Sequence, residues 1–496
     1  MVPRLRELTA AGSETDTMKR IVLIISVLTL LLLGEAGAGK GALKVSAEPV
    51  AIGMKVTADS SDITAKLADN NASTLTTVKS GAAVNASFDE GASVLYIVFN
   101  DAPGEWTLTS GDKSVKAGTN GFLHEYIDLE KAFGEKVSSL SMSFGSQTVL
   151  CDISAFSSAD TPSYVQKWDP PCEKADILLV SSHADDEQLF FAGILPYYSK
   201  VKGYAVQVAY ATDHDTEKIR HHERLNGLWA VGIRNYPVSS KYPDLYSESV
   251  EGAVANLAPY GITEQKIIDW ETDLFKRFSP QAVVSHDPNG EYGHGMHRLV
   301  NKTLRAAVEA AKGSEYCPKK VYFHLYDTDP IVLDFLDTPF DELGGKTPFE
   351  MTQEGFRYHN SQHWTWFKGW IYGKETPITK ASQIKTYNPA NYGLYYSSVG
   401  KDADANDIFE NLVSYAETET AEKKRQEEEE ARRLEEQKRI EEEQQAAAQK
   451  TAKNKRTAII AASIGVAAAI AYLIIRAAAK NGRRRRRNRG GRRPRR

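Results

Sequence analysis

The chain has 496 residues, with 61 Lys and Arg against 65 Asp and Glu and a formal net charge of −4. That length exceeds one ordinary domain. Arg476, Lys480 and ten arginines between Arg483 and Arg496 supply 12 positive charges, which leaves −16 upstream and excludes nucleic acid as the natural partner of the body.

Near the start, Lys19-Arg20 precede the aliphatic run Ile21 to Leu33 and the small-residue stretch around Ala36-Gly37-Ala38. This order predicts a secretory signal peptide over 1–38, with Met18 as the expected start. From 43 to 160, short alternating runs separated by turns predict a β-sandwich, clearest at Val94 to Asn100, Glu105 to Ser110 and Val137 to Phe144. The stretch Leu67-Ala68-Asp69-Asn70-Asn71-Ala72-Ser73-Thr74, with the later Val94 to Phe99, resembles discoidin-like, galactose-binding-like jelly rolls. The resemblance implies a carbohydrate-binding module; a spacer sandwich is the alternative. A linker with Pro162, Pro170 and Pro171 covers 161–173.

Over 174–415 the apolar runs Ala175 to Val180, Tyr204 to Thr212, Ala282 to Ser285 and Lys320 to Leu325 alternate with helical stretches such as Glu217 to Val231 and His297 to Ala311. The pattern predicts an α/β domain, a Rossmann-like, mostly parallel sheet with helices on both faces and its ligands at the carboxyl ends of the strands. Residues 416–456 are dense in Glu, Gln, Lys and Arg and read as a charged helical stalk, with an oligomerisation coil as the alternative. Thr457 to Ile475 is uncharged and long enough to cross a bilayer. The polybasic residues 476–496 then predict a single-pass cell-membrane protein with its tail cytoplasmic and everything between the two apolar segments outside. Cys151, Cys172 and Cys317 allow one disulfide, of which Cys151–Cys172 would staple the linker.

Two motifs carry chemistry. Ser182-His183-Ala184-Asp185-Asp186-Glu187 follows the first strand of the α/β part, and Ser285-His286-Asp287-Pro288-Asn289-Gly290-Glu291-Tyr292-Gly293-His294-Gly295-Met296-His297 leaves another strand and enters a helix. Both belong at one rim of the sheet. Hydrolytic zinc needs three N or O ligands and an open position, with a base beside the metal but not on it. His183, one of the paired carboxylates Asp185 and Asp186, and His297 fit that demand.

Together with Ala211-Thr212-Asp213 and Arg220-His221-His222-Glu223, these motifs resemble the LmbE/PIG-L deacetylases, whose first motif usually reads His-Pro-Asp-Asp-Glu. The resemblance spans about Ala175 to Leu412. It implies one Zn2+ per catalytic domain (Fe2+ being the alternative) held by His183, Asp186 and His297, with Asp185 as general base and His294 supporting or protonating the tetrahedral intermediate. The implied reaction is hydrolysis of the acetamide of an N-acetylhexosamine in an N-acetylated glycan outside the cell. Release of another acyl group, and a carbohydrate-binding surface protein without turnover, are the alternatives. The oligomeric state is open.

Three departures stand out: Ala184 for proline, Gly295-Met296 for Pro-Asp, which removes a carboxylate behind the metal, and His214 where glycine is common. His214, His286 and Arg220 are candidate substrate contacts. His286 reads as a packed histidine, with an orienting partner as the alternative, and Arg220 equally as an ion-pair partner of Glu223. His221 and His222 are expected at the surface, and the tryptophans of Gln362 to Trp370 in the core, with sugar stacking as the alternative.

Overall fold

A computed structural model describes residues 49–489, with side chains to Arg483. The expected signal peptide and residues 490–496 lie outside the described residues. The first ten strands are β1 (Met54–Ala58), β2 (Ser61–Asp62), β3 (Thr76–Val78), β4 (Ala83–Ala92), β5 (Val94–Phe99), β6 (Trp106–Ser110), β7 (Lys113–Ala117), β8 (His124–Asp128), β9 (Val137–Phe144) and β10 (Thr148–Phe156). They form two sheets, ordered β2-β1-β4-β9-β6-β7 and β3-β10-β5-β8. Strand β4 shows why they stack: Val84, Ala86 and Phe88 are buried between exposed Ala83, Asn85 and Ser87, the period-2 signature of a sheet with one wet face. The inward residues meet Leu95, Ile97, Leu150 and Ile153 of the second sheet in one core.

Seven further strands make the α/β sheet: β11 (Ile177–Ser181), β12 (Val206–Tyr210), β13 (Val238–Ser239), β14 (Ala282–Ser285), β15 (Lys320–His324), β16 (Pro330–Val332) and β17 (Asn391–Ser397). Their order is β13-β12-β11-β14-β15-β17-β16. The first five run parallel, whereas β17 is antiparallel to β15 and to β16, so the expected parallel sheet gains an antiparallel edge. Strand β11 is buried at every residue, because helices cover both faces. The main helices are α1 (Ile219–Ala230), α2 (Val250–Leu257), α3 (Glu264–Phe278), α4 (Gly295–Ala311) and α5 (Pro348–Phe356). Ile177, Leu179 and Val208 pack with α1 and α5 residues; Leu178, Val180 and Val283 pack with α3 and α4 residues on the other face.

The sandwich docks on α1 and the loop after it. Phe122 stacks on Tyr236 with ring centroids 4.3 Å apart, and His124 meets His222 at 2.9 Å. This roof corrects one expectation: His221 and His222 are buried, not at the surface. Trp364 and Trp366 are exposed, at 85% and 44%, where a core position was expected. The three cysteines are free; Cys151 lies 3.9 Å from His222 Nε2 instead of pairing with Cys172.

Helix α6 (Tyr415–Arg489) runs 75 residues without a break, so stalk, apolar segment and basic residues are one rod. Its apolar window is long enough to cross a membrane and is not buried at all. The rod is clamped at its start: Tyr415 N donates to Asp176 Oδ1 at 2.8 Å, and the Tyr415 hydroxyl to Ser279 O at 2.6 Å. Both acceptors sit at the amino ends of β11 and β14.

Candidate metal-dependent active site

Strands β11 and β14 are neighbours in register, so the loops leaving their carboxyl ends meet. After β11, the His183 amide donates to Asp186 Oδ2 at 2.8 Å and curls the loop into the short helix Asp186–Leu189. After β14, the chain turns at Gly290 and Gly293, both with positive φ, and enters α4 with His294 as its N-cap. A Cβ on Gly295 would stand 2.1 Å from Ser247 Oγ, and the Gly295 amide donates to Ser247 O at 2.7 Å. Proline could not stand there, since it has neither the space nor the N–H.

Three buried donor atoms converge. His183 Nδ1 lies 3.1 Å from Asp186 Oδ2 and 3.2 Å from His297 Nε2, and the last two are 3.3 Å apart. A tetrahedral ion with bonds of about 2.0–2.1 Å keeps its N and O donors roughly 3.3 Å apart, so the triangle fits a zinc-sized ion. His286 and His294 fall into overlapping metal-competent groups. His286 Nε2 accepts from Ser182 N at 2.8 Å and its Nδ1 faces Glu291 at 3.2 Å; fully buried, it braces the two loops. His294 Nδ1 accepts from Met296 N at 3.2 Å, which leaves the proton of the neutral ring on Nε2. Burial, with His183 and His297 nearby, holds its pKa down to about 2. Its ring stands 4.6 Å from that of His183.

The carboxylate missing at Met296 is supplied by Glu291. Its Oε2 is 2.5 Å from His297 Nδ1, and it also faces His286 and His324 Nδ1 and accepts from Asp287 N at 3.1 Å. A carboxylate behind a metal-binding histidine fixes its tautomer and makes it more basic. Burial opposes ionisation, yet His286 and His297 hold Glu291 well below the usual carboxylate range.

Asp244, unremarked in the sequence, gathers His183 Nε2 at 3.4 Å, His214 Nδ1 at 3.3 Å and Arg220 Nη1 at 3.1 Å. His214 Nε2 accepts from Ala184 N at 3.1 Å. Proline lacks that N–H, so two departures, Ala184 and His214, form one device. Both nitrogens of His214, a candidate substrate contact, are engaged within the protein, and the ring is 2% exposed. Arg220 donates to Ala184 O at 2.6 Å and lies 3.4 Å from Asp185 Oδ1 in place of the expected pairing with Glu223, which accepts from Ser361 N at 2.7 Å.

Asp185 adopts φ 124°, a conformation that costs about 1–3 kcal/mol in a non-glycine residue and clusters at functional sites. Its amide donates to Glu187 Oε2 at 2.8 Å, and Glu187 in turn faces buried His359 at 3.1 Å. Burial raises the Asp185 pKa to about 7; Arg220 opposes this, while Asp186 and Glu187 add to it. Around the mouth stand aromatic rings. Tyr246, 63% exposed, lies 5.2 Å from His294 on one side. Tyr292 lies 5.6 Å from it and meets Trp366 edge-on at 5.7 Å.

Residues 178–308 match the family model described as PIG-L: GlcNAc-PI de-N-acetylase. A 1D-myo-inositol 2-acetamido-2-deoxy-alpha-D-glucopyranoside deacetylase 1 of Catenulispora acidiphila is 22% identical over 170 residues, 30% of this chain and 53% of that protein. A deacetylase of the same description from Saccharomonospora viridis is 25% identical over 158 residues, 28% of this chain and 59% of that protein. The chain thus spans a little over half the length of these curated relatives. Among solved structures, the N,N'-diacetylchitobiose deacetylase of Pyrococcus horikoshii aligns over 46% of this chain and 86% of its own at 16% identity, with a TM-score of 0.33. The segment 178–308, which contains His183, Asp185, Asp186, His294 and His297, is a domain of the PIG-L (LmbE-type) family.

Proposed function

We propose that this protein is a zinc-dependent N-deacetylase acting on N-acetylhexosamine residues of a glycan outside the cell. The observation that carries the reading is the convergence of His183 Nδ1, Asp186 Oδ2 and His297 Nε2 within 3.1–3.3 Å, beside an unligated buried carboxylate, Asp185. The names of the two relatives, both sugar-acetamide deacetylases, support the substrate class.

His183, Asp186 and His297 would hold the ion, which when bound supplies Lewis acidity to a water and to the acetamide carbonyl. Asp185 takes the proton of the attacking water; a base near pH 7 is matched to that task. Arg220 holds the Asp185 loop through Ala184 O. His294, a neutral Nε2–H donor, supports the carbonyl oxygen as negative charge develops, and acetate and a free amine leave. Tyr246 and Trp366 offer flat faces at the mouth against which a sugar ring can lie. The apolar part of α6 crosses the cell membrane, with the active site outside and the arginines in the cytoplasm.

The test is acetate release from N-acetylglucosamine oligomers by the full chain in detergent with zinc, beside Asp185→Asn. The wild type should turn over, and the variant should lose about 10²- to 10⁴-fold in kcat with its zinc content unchanged. A zinc-loaded wild type silent on a broad glycan panel would sink the enzyme reading. An equally active variant would remove Asp185 as base. Protease added to intact cells should release the catalytic unit; its full protection contradicts the outward placement.

A further inference from the structure

Where the sandwich meets the α/β unit there is a cleft of about 490 Å³ far along α1 from the metal-ligand triangle. Its sandwich side is the outer face of the β3-β10-β5-β8 sheet, represented by Tyr96 and Asp152, and its other side is α1, represented by Asn226 and Trp229. Tyr358, 43% exposed, stands at the edge. The volume falls in the range of small-molecule sites, about 300–1,000 Å³.

Asp152 is the acceptor on the sandwich side of the cleft. It is 5% exposed, its Oδ1 takes the Ser154 hydroxyl at 3.3 Å, and the backbone amides of Asn70 and Asn71 also donate toward its carboxylate. Burial pushes its pKa up to about 6. A carboxylate offers about four acceptor positions, so beside these donors it can still accept a hydroxyl from a ligand in the cleft. Asn226 accepts from Gln166 Nε2 on its Oδ1, which leaves its own amide nitrogen to donate. Among the described residues of the lining, the cation Arg234 is committed: it lies 3.6 Å over the Trp229 ring and donates to the Trp229 and Ile233 carbonyls. The lining also includes a second carboxylate, Glu354. An acceptor carboxylate, an amide donor and aromatic faces, with no free cation, match a neutral, hydroxyl-rich ring and disfavour an anion.

Helix α1 connects this cleft to the catalytic loop. Arg220 near its start contacts Ala184 and Asp185, and Trp229 lies nine residues on, about 14 Å along the axis. We infer that the cleft between sandwich and α/β unit is a second saccharide site, which takes one or more neutral sugar residues and anchors a glycan whose acetylated residue lies at the metal-dependent site. The anchoring half rests on the deacetylase reading; the binding half does not.

The test separates them. The full chain in detergent, carrying Asp185→Asn to prevent turnover, is titrated by calorimetry with N-acetylglucosamine tetramer, cellotetraose and tetragalacturonate. Both neutral tetramers should bind, and the acidic one should bind at least tenfold more weakly. Adding Asp152→Asn, or separately Tyr358→Ala on the rim, should weaken cellotetraose at least tenfold. With Asp185 intact, Tyr358→Ala should raise KM for the N-acetylglucosamine tetramer while leaving hydrolysis of the monomer unchanged. Cellotetraose affinity unchanged by both substitutions, no neutral tetramer bound at millimolar concentration, or tighter binding of tetragalacturonate would each overturn the saccharide site. Cleft binding without any acetate release from the wild type would leave the site standing and overturn only the anchoring role.

Discussion

Replacing Ala184 with proline removes the amide on which His214 depends. That N–H fills the lone pair of His214 Nε2 at 3.1 Å, and the ring is 2% exposed, so water cannot take its place. A buried acceptor left without its donor costs about 1–3 kcal/mol. At about 2–4 °C per kcal/mol for a unit of this size, Ala184→Pro should lower the unfolding midpoint by roughly 2–12 °C. His214→Gly also destabilises, by emptying a packed site and releasing Asp244, which His214 Nδ1 faces at 3.3 Å. In Ala184→Pro/His214→Gly there is no acceptor left to satisfy, so part of the loss should return, with a coupling of about 1–2 kcal/mol. The assay is thermal unfolding of the four proteins at one zinc concentration, followed by circular dichroism. Losses that add in the double variant to within about 0.5 kcal/mol would refute the pairing of Ala184 with His214.

Glu291→Gln should weaken zinc binding about 10- to 100-fold, read by competition with a chromophoric chelator, because it loosens His297; an unchanged affinity would remove Glu291 from that role. Trp366→Ala, on an exposed ring, should raise KM for N-acetylglucosamine oligomers by about 5- to 50-fold, on the order of 1–2 kcal/mol of ring contact, with kcat retained; a fall in kcat at constant KM would contradict a stacking role. Acid should weaken the docking of the sandwich. Burial lowers the pKa of His124, and lowers that of His222 to about 4 with help from His221 and Arg224. In the unfolded chain both take up protons near 6.5, so their contribution is whole above that pH and falls away below it, for His222 on the way down to about 4. The slope is up to about 1.4 kcal/mol per pH unit for each histidine. Urea midpoints that do not move between pH 7.5 and 4.5 would exclude this.

What could be read from the sequence was local. His183, Asp186 and His297 stand out because each sits just beyond an apolar run or at a helix start, and such runs locate strand ends without knowledge of the fold. Glu291 lay inside the second motif and could have been noticed as an acid six residues before His297, on the same loop. Asp244 could not: it is 61 residues from His183, on a segment with no periodic signal, and only the docking of that segment at the strand ends brings it there. The burial of His221 and His222 depends on the sandwich roof, which no property of α1 announces. Trp364 and Trp366 misled because indoles are usually well buried, whereas here a short irregular stretch after α5 carries both to the surface, Trp366 beside Tyr292.

The clamp of Tyr415 on Asp176 and Ser279 decides which way the molecule looks. Those anchors lie at the amino ends of the strands and the triangle of His183, Asp186 and His297 at the carboxyl ends, so the long rod leaves from the back of the sheet. From Tyr415 to Arg456 it measures about 60 Å. A protein mounted in a membrane this way resembles a lamp on a post, turned outward. On the proposed topology its own bilayer would lie behind it, beyond the reach of the rim that carries the triangle, and what it could modify is what arrives from the far side, in the cell's surroundings or on the surface of a neighbour.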